Sequence, residues 1–173
     1  MGAEEVRAVI CDVDGVLTDG SIILCDDGTE AKRFHVWDGT GIKYLLRSGI
    51  EVAFLTGRES PVVVRRAREL GVKHLRQGAK DKVPAYEELL ADLGVDDRQA
   101  CYVGDDLPDI PVMRRAGFAV AVGNARAEVQ AAADHVTTAP GGQGAVRELA
   151  ELILKAQGKW QAVVARYGIE AER

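Results

Sequence analysis

Two aspartates separated by one residue stand directly after an apolar segment near the start of the chain. The segment Val6–Ile10 is typical of a buried strand, and Asp12 and Asp14 follow it in CDVDGVLTDG. Two carboxylates held this close repel each other and lose hydration, so something beside them must offset that cost. The alternative interpretation is a purely structural turn, in which Asp14 forms the turn and Asp12 caps backbone N–H groups.

Three further groups of polar residues occupy comparable places. LTGR puts Thr56 and Gly57 at the end of a second apolar run, where a hydroxyl and free backbone N–H groups become available. KDK puts Lys82 near the start of a predicted helix, where the helix dipole disfavours a lysine. VGDDLPD supplies a second acidic cluster after another apolar run, and its members are Asp105, Asp106 and Asp109. Each group alone also fits a turn, a solvent-facing lysine or a helix cap.

Together these groups fit the transfer of a phosphoryl group. Two acidic clusters at one edge of a sheet are best reconciled by a hard divalent cation with oxygen ligands, which means Mg²⁺. One carboxylate is then free to attack phosphorus, while a hydroxyl and an ammonium donate to the phosphoryl oxygens. At about 4 Å and an effective dielectric of about 20, carboxylate and phosphoryl charges repel by roughly 4 kcal/mol per pair. The metal and Lys82 would offset that repulsion.

The elements that must position these groups alternate between short apolar runs and amphipathic segments of helix length. The predicted strands are Val6–Cys11, Glu51–Leu55, Lys73–Gln77, Ala100–Gly104, Ala119–Val122 and His135–Thr138. The predicted helices are Gly41–Ser48, Ser60–Leu70, Lys80–Leu93, Leu107–Ala116, Ala125–Ala133 and Gly144–Gln157. This alternation predicts an α/β fold, a three-layer Rossmann-like parallel sheet with helices on both faces. Ligands of such sheets collect at the carboxyl ends of the strands, where Asp12, Thr56 and Asp105 stand.

One segment interrupts the alternation. Residues 20–39 read as two strands around an Asp27-Gly28 turn, which predicts a β-hairpin that projects over the carboxyl edge as a flap. We expect one domain over residues 1–158 that includes this hairpin, followed by a polar C-terminal tail over residues 159–173. The spacing between the motifs leaves no room for a separate cap domain.

The composition limits the partners that the chain can have. It has 22 Lys and Arg against 27 Asp and Glu, a formal net charge of −5. A nucleic-acid partner is therefore not expected, because binding to a phosphate backbone needs a basic face. No apolar run is long enough to span a membrane and nothing resembles a signal peptide, so we expect a cytoplasmic protein without a membrane partner.

The motifs DVDGVLTDG, LTGR, Lys82 and GDDLPD stand in the order found in the haloacid dehalogenase-like superfamily, which the chain resembles. With the hairpin, the stretches FHVWDGTGI, HLRQGAKDK, YVGDDLPDIPVM and GGQGAVRE resemble the 3-deoxy-D-manno-octulosonate 8-phosphate phosphatases. This second resemblance extends over residues 6–158 or so. It implies a Mg²⁺-dependent phosphatase, a phosphoric monoester hydrolase, that acts on that sugar-acid phosphate through an aspartyl-phosphate.

The resemblance also implies roles for the matching positions. Asp12 would be the nucleophile, and Asp14 would be the general acid and base. Phosphate would be held by Thr56, Gly57 and Lys82.

The remaining matching positions concern the metal and the sugar. Asp105 would bind Mg²⁺ together with Asp12 and the backbone carbonyl of Asp14. The water shell of the metal would be ordered by Asp106 and Asp109, and Arg58 would meet the substrate.

A site without a cap domain needs closure from elsewhere to retain a small sugar phosphate. The resembled family forms homotetramers in which a neighbour's C-terminal segment reaches the site. APGGQGAVRE could supply that segment, with Arg147 as a fork for a carboxylate or phosphate. A glycine loop that simply opens the last helix is the equal alternative.

Trp37 is a further candidate for substrate binding, and it departs from the basic residue that the family often has there. The 9-phosphates of nine-carbon, sialic-type sugars therefore remain alternative substrates. A receiver domain of signalling proteins also groups aspartates, a threonine and a lysine around Mg²⁺. A receiver domain needs neither the hairpin nor the second acidic cluster, so it is the remote alternative. A binding module without activity is a further alternative of low rank, because every catalytic position is filled.

Overall fold

Six short strands form a central parallel sheet in the computed structural model, which describes residues 2–169. They are β1 (Ala8–Cys11), β4 (Glu51–Leu55), β5 (His74–Arg76), β6 (Ala100–Gly104), β7 (Phe118–Ala121) and β8 (His135–Val136). Their order in the sheet is β5-β4-β1-β6-β7-β8. A separate antiparallel pair consists of β2 (Ile23–Leu24) and β3 (Glu30–Ala31).

Within residues 2–169, seven helices connect the strands and cover the sheet. They are α1 (Val36–Arg47), α2 (Pro61–Leu70), α3 (Lys82–Leu93), α4 (Ile110–Met113), α5 (Ala127–Ala132), α6 (Ala145–Ala156) and α7 (Trp160–Ala165). Short 3-10 turns occupy Ala3–Glu5, Asp97–Gln99 and Leu107–Asp109. The predicted α/β fold with a parallel sheet and no separate cap domain is confirmed. The helix expected over Leu107–Ala116 is divided, because Pro108 and Pro111 lack N–H donors.

The sheet brings the ends of three strands to one level. β1 lies between β4 and β6, and Cys11 stands opposite Phe54 and Val103. All four residues of β1 are buried, which explains why the strand is continuously apolar. The residues that follow these three strands therefore emerge beside one another at the carboxyl edge.

The hairpin is shorter than the sequence indicates. β2 and β3 join through a turn in which Gly28 has a φ of +81°, and α1 already begins at Val36. Residues 36–39 are thus the first turn of a helix, and the expectation that the hairpin extends to Gly39 is wrong. The buried carboxylate of Asp38 fixes this turn, because it accepts the backbone N–H groups of Gly144 (3.2 Å) and Arg147 (2.9 Å) at the start of α6.

The segment after Gly158 also differs from a simple polar tail. α7 packs on the body through Val163, which is buried, and the Tyr167 and Tyr44 hydroxyls lie 3.1 Å apart. Trp160 and Val163 are three residues apart and share one helix face, a short apolar pattern that the polar composition obscures. The last part of the expected tail, residues 170–173, lies outside the described residues.

The glycine loop before α6 contacts the loop that carries Asp12 and Asp14. Gly142, with a φ of +66°, donates its backbone N–H to the carbonyl of Val16 at 2.8 Å. A Cβ atom at Gly141 would lie 1.7 Å from the backbone oxygen of Gly15. Within its own chain the loop opens the last helix, and its reach to a neighbour's site stays a prediction.

Among residues 2–169 no helix has the length and apolar character that a membrane span requires.

The contact of Gly141 with Gly15 predicts a local response to substitution. Gly141→Ala should lower the free energy of unfolding by about 2–3 kcal/mol, because a methyl group there forces the two loops apart. Amide hydrogen exchange should accelerate in residues 15–19. Gly94→Ala is the control, since Gly94 has a φ of +65° but no atom within 4 Å of the added Cβ. Unchanged exchange in that loop would contradict the prediction.

Candidate active site

A cleft of about 360 Å³ lies at the carboxyl edge of the sheet. Residues from the loops after β1, β4, β5 and β6 and from the start of α3 line it. They are Asp12, Asp14, Thr56, Gly57, Arg58, Ala79, Lys80, Lys82, Asp105, Asp106, Pro108 and Asp109. The structure thus brings together the motifs that the sequence analysis singled out.

Lys82 is the cation that faces the carboxylates from the start of α3. Its side chain is almost wholly buried, and Nζ lies 3.0 Å from Asp12 Oδ1 and 2.7 Å from Asp109 Oδ1. Burial lowers the pKa of the ammonium, but the two carboxylates outweigh this effect and raise its pKa overall. Lys82 therefore stays charged at neutral pH. Asp81 caps the helix by accepting the N–H of Val83, which positions Lys82 in the first turn.

Asp109 is held by four donors and supports the second acidic loop. Oδ1 accepts from Lys82 and from the hydroxyl of Tyr102, both at 2.7 Å. Oδ2 accepts the backbone N–H groups of Asp105 (3.0 Å) and Asp106 (3.1 Å). Because both of its oxygens are engaged, Asp109 orients its neighbours.

The carboxylates of Asp12 and Asp105 have fewer hydrogen-bond partners than that of Asp109. Both hydrogen bonds of Asp12 use Oδ1, from the N–H of Val13 (2.7 Å) and from Lys82. Oδ1 of Asp105 is buried without any hydrogen-bond partner among the described residues. Single oxygens of Asp12, Asp105 and Asp109 lie within 4.8 Å of one another, a spacing that could hold a metal ion. An orphaned buried carboxylate oxygen in such a group fits a hard cation.

The crowding of negative charge appears in the pKa values. Burial raises the pKa of Asp105 to about 8, and the charges of Asp12 and Asp109 add to the shift. Burial also raises the pKa of Asp12 to about 6, although Lys82 opposes this change. Without a further positive charge, the carboxyl groups of Asp12 and Asp105 are therefore not both fully ionised at neutral pH.

The loop after β4 offers donors opposite Asp12. Thr56 is buried, and its backbone is fixed by hydrogen bonds with the carbonyl of Arg76 (3.0 Å) and the N–H of Ala79 (3.1 Å). Its hydroxyl accepts the N–H of Arg58 at 3.3 Å. Gly57 leaves room here, since an added Cβ would meet only the carbonyl of Ala79 at 3.6 Å.

Two residues of the hairpin reach this site, and the sequence analysis missed both. Lys32 Nζ lies 2.5 Å from Asp14 Oδ1, and Glu30 accepts from Arg58 Nη2 at 2.6 Å. Glu30 and Lys32 are two residues apart in an extended segment, which lets their side chains share one face, but no signal in the sequence indicates that this face meets the cleft.

Trp37 and Arg147 do not reach the cleft of their own chain. Trp37 lies in the first turn of α1, is 59% exposed and stands beside Gly144. Arg147 packs its guanidinium over the rings of Tyr44 (4.8 Å) and Trp160 (5.8 Å). Within their own chain the helix geometry directs both side chains to another surface, and their binding of substrate at a neighbour's site stays a prediction.

Comparisons with known proteins show the family to which the chain belongs. A sequence profile of the haloacid dehalogenase-like hydrolases matches residues 74–149. The 3-deoxy-D-manno-octulosonate 8-phosphate phosphatase of Yersinia pestis is 49% identical over 157 residues, which cover 91% of this chain and 84% of the relative. Its counterpart in Escherichia coli K12 is 48% identical with the same coverage.

The chain belongs to the haloacid dehalogenase-like hydrolases. This haloacid dehalogenase-like hydrolase is a phosphoric monoester hydrolase, as the motifs predict. Among solved structures, the 3-deoxy-D-manno-octulosonate 8-phosphate phosphatase of Moraxella catarrhalis, in complex with magnesium ion, phosphate ion and KDO, matches with a TM-score of 0.93. It is 47% identical, and the match covers 95% of each chain. This membership excludes the receiver-domain alternative.

The pKa of Asp105 predicts how the metal-free hydrolase responds to pH. The pKa rises from an ordinary 3.8 to about 8 on folding, so the folded chain binds more protons between these values. The contribution of Asp105 to stability is thus complete below about pH 4 and is lost as the pH rises through about 8. Asp105→Asn removes this loss.

Thermal melts in EDTA measure the effect. Asp105→Asn should melt several degrees above the unaltered chain at about pH 8, and the difference should shrink toward about pH 5. A difference that is constant with pH would contradict the assignment. Asp92→Asn, on the surface of α3 in an ion pair with Arg76, is the matched control.

Proposed function

We propose that this hydrolase releases phosphate from a phosphorylated sugar acid, 3-deoxy-D-manno-octulosonate 8-phosphate, through an aspartyl-phosphate on Asp12. The observation that carries the proposal is the single cleft that gathers the nucleophile, the acid and base, the phosphate donors and the metal-binding carboxylates. The curated relatives named for this substrate support its identity, because they share nearly half of their residues with nine-tenths of this chain.

In the first step, a carboxylate oxygen of Asp12 attacks phosphorus while the bond from phosphorus to the sugar oxygen breaks. Asp14 gives its carboxyl proton to that oxygen as it leaves. Lys82, the hydroxyl of Thr56 and the backbone N–H of Gly57 donate to the phosphoryl oxygens and stabilise the charge that these oxygens carry.

In the second step, Asp14 takes a proton from a water molecule. The water oxygen attacks phosphorus, the bond to Asp12 breaks, and inorganic phosphate leaves. The two steps restore both carboxyl groups to their starting protonation states.

Mg²⁺ is the cofactor, and the residues present fit it. Asp12 and Asp105 would hold the ion together with the backbone carbonyl of Asp14, and the orphaned Oδ1 of Asp105 supports this assignment. Asp106 would order its water molecules, and Asp109, whose oxygens already accept four hydrogen bonds, would hold the loop that carries Asp105 and Asp106. When bound, Mg²⁺ neutralises the phosphoryl oxygens and the carboxylates so that they can approach each other.

Recognition of the sugar acid falls to Arg58. Its side chain is 43% exposed at the cleft, and its guanidinium can pair with a carboxylate through two parallel hydrogen bonds. The nine-carbon, sialic-type sugar 9-phosphate stays the second candidate substrate, since Trp37 is still a predicted contact to a neighbour's site. Within this proposal, residues 1–158 form the phosphatase domain.

We also propose that the hydrolase is a homotetramer in which neighbouring hairpins meet. Ile22, Ile23 and Leu24 are exposed in a row on the hairpin, at 54%, 44% and 76%. Contiguous exposed apolar side chains of this kind mark interaction surfaces. Light scattering should give the mass of four chains, and the mass of one chain would contradict this proposal. Trp37 and Arg147 stay predicted contacts to a neighbour's site.

The proposed chemistry predicts the result of a phosphate-release assay. With Mg²⁺, the chain should hydrolyse 3-deoxy-D-manno-octulosonate 8-phosphate in preference to nucleotides, phosphoserine and a nine-carbon sugar 9-phosphate. EDTA should abolish the activity and added Mg²⁺ should restore it. A preference for one of the other phosphates would contradict the proposed substrate.

Substitution of the nucleophile tests the covalent step. Asp12→Asn should lower kcat by about three orders of magnitude or more, because an amide cannot form the phosphorus bond at a useful rate. Asp92→Asn is the control and should retain activity. Full activity in Asp12→Asn would exclude the aspartyl-phosphate.

A further inference from the structure

A buried lysine of the hairpin contacts the proposed general acid. The side chain of Lys32 is 1% exposed although it belongs to an exposed hairpin. Its Nζ lies 2.5 Å from Oδ1 of Asp14. Desolvation of an ammonium group costs free energy unless it is paired, so this contact requires the hairpin to be seated on the body.

Glu30 joins the same hairpin face to the loop after β4. Its Oε2 accepts from Arg58 Nη2 at 2.6 Å, and its Oε1 accepts from the hydroxyl of Ser60 at 2.8 Å. Lys32 Nζ lies 3.4 Å from the same Oε1. One carboxylate therefore holds two cations in place, one on the hairpin and one at the cleft.

The two carboxylate oxygens of Asp14 have different hydrogen-bond partners. Oδ1 accepts from Lys32, whereas Oδ2 is buried and has no hydrogen-bond partner among residues 2–169. Arg58 Nε lies 3.9 Å from Oδ2. The contact with Lys32 fixes the carboxyl group so that Oδ2 is the oxygen available for proton transfer.

We propose that Lys32 is a positioning residue that orients Asp14 for proton transfer to the leaving oxygen, with Glu30 holding Lys32 in place. This inference rests on the proposed function. In the first step the proton passes from Asp14 Oδ2 to the sugar oxygen as its bond to phosphorus breaks and the bond from Asp12 forms. Lys32 takes no part in bond making. A hairpin that is not seated leaves Asp14 without this restraint, so the hairpin couples closure to the chemistry.

The leaving group distinguishes positioning of the acid from a structural role. A sugar alkoxide needs a proton to leave, whereas 4-nitrophenolate is stabilised by its nitro group and leaves without one. Single-turnover assays with enzyme in excess over substrate report leaving-group release, which excludes the later attack of water. Variants are compared on 3-deoxy-D-manno-octulosonate 8-phosphate and on 4-nitrophenyl phosphate.

We expect Lys32→Gln to slow release of the sugar by about 10- to 100-fold and release of 4-nitrophenolate by less than about threefold. Lys32→Arg, which keeps a cation, should recover part of the loss. Glu30→Gln should give the same selectivity with a smaller effect at saturating enzyme, where weaker sugar binding through Arg58 does not limit the rate. This variant tests the proposal even if Lys32→Gln fails to fold. Arg33→Gln is the matched control, because Arg33 belongs to the same hairpin but is exposed and pairs with Asp19.

Equal losses on both substrates, or no loss in Lys32→Gln and Glu30→Gln, would overturn the role of Lys32. Failure of the proposed function looks different. In that case the unaltered chain would not release phosphate from the sugar acid, whatever the variants do with 4-nitrophenyl phosphate.

Discussion

The concentration of negative charge at one edge of the sheet is the constraint on which the rest of the site depends. Oxygens of Asp12, Asp105 and Asp109 lie within 4.8 Å of one another, largely away from water, where repulsion between carboxylates is strong. The buried ammonium of Lys82 offsets part of it by contacting two of the three. Together with burial, the repulsion that remains raises the pKa of Asp105. The same excess of negative charge makes the cluster suitable for binding a divalent cation.

The parallel sheet places these charges without the need for long loops. β1 lies between β4 and β6 in register, so that the chain leaves all three strands at the same level. Hydrogen bonds then fix each loop from within: Asp109 accepts the N–H groups of its own loop, and Thr56 is tied to Arg76 and Ala79. A rigid frame of this kind presents groups at fixed distances before substrate arrives, which is the condition for electrostatic catalysis.

Closure of the site comes from small elements instead of a cap domain. The hairpin brings Lys32 and Glu30 over the cleft, and together they link the proposed acid, Asp14, to the proposed sugar-binding residue, Arg58. On the other side, Gly141 packs directly against the backbone of Gly15 and leaves no space for a side chain. The loop that carries Asp12 and Asp14 is thereby held between two segments distant in sequence, which fixes its geometry without a cap domain.

The sequence by itself determined the parallel α/β fold, strands such as Glu51–Leu55 and Ala100–Gly104, and the carboxylates and lysine of the site. These follow from local signals, because apolar periodicity, turn residues and motif spacing are carried by neighbouring residues. Only the tertiary structure decided that Lys32 reaches Asp14 and that Trp37 and Arg147 turn away from the cleft of their own chain. Which face of a short hairpin or helix is buried depends on packing against segments distant in the chain, and no local pattern encodes that choice.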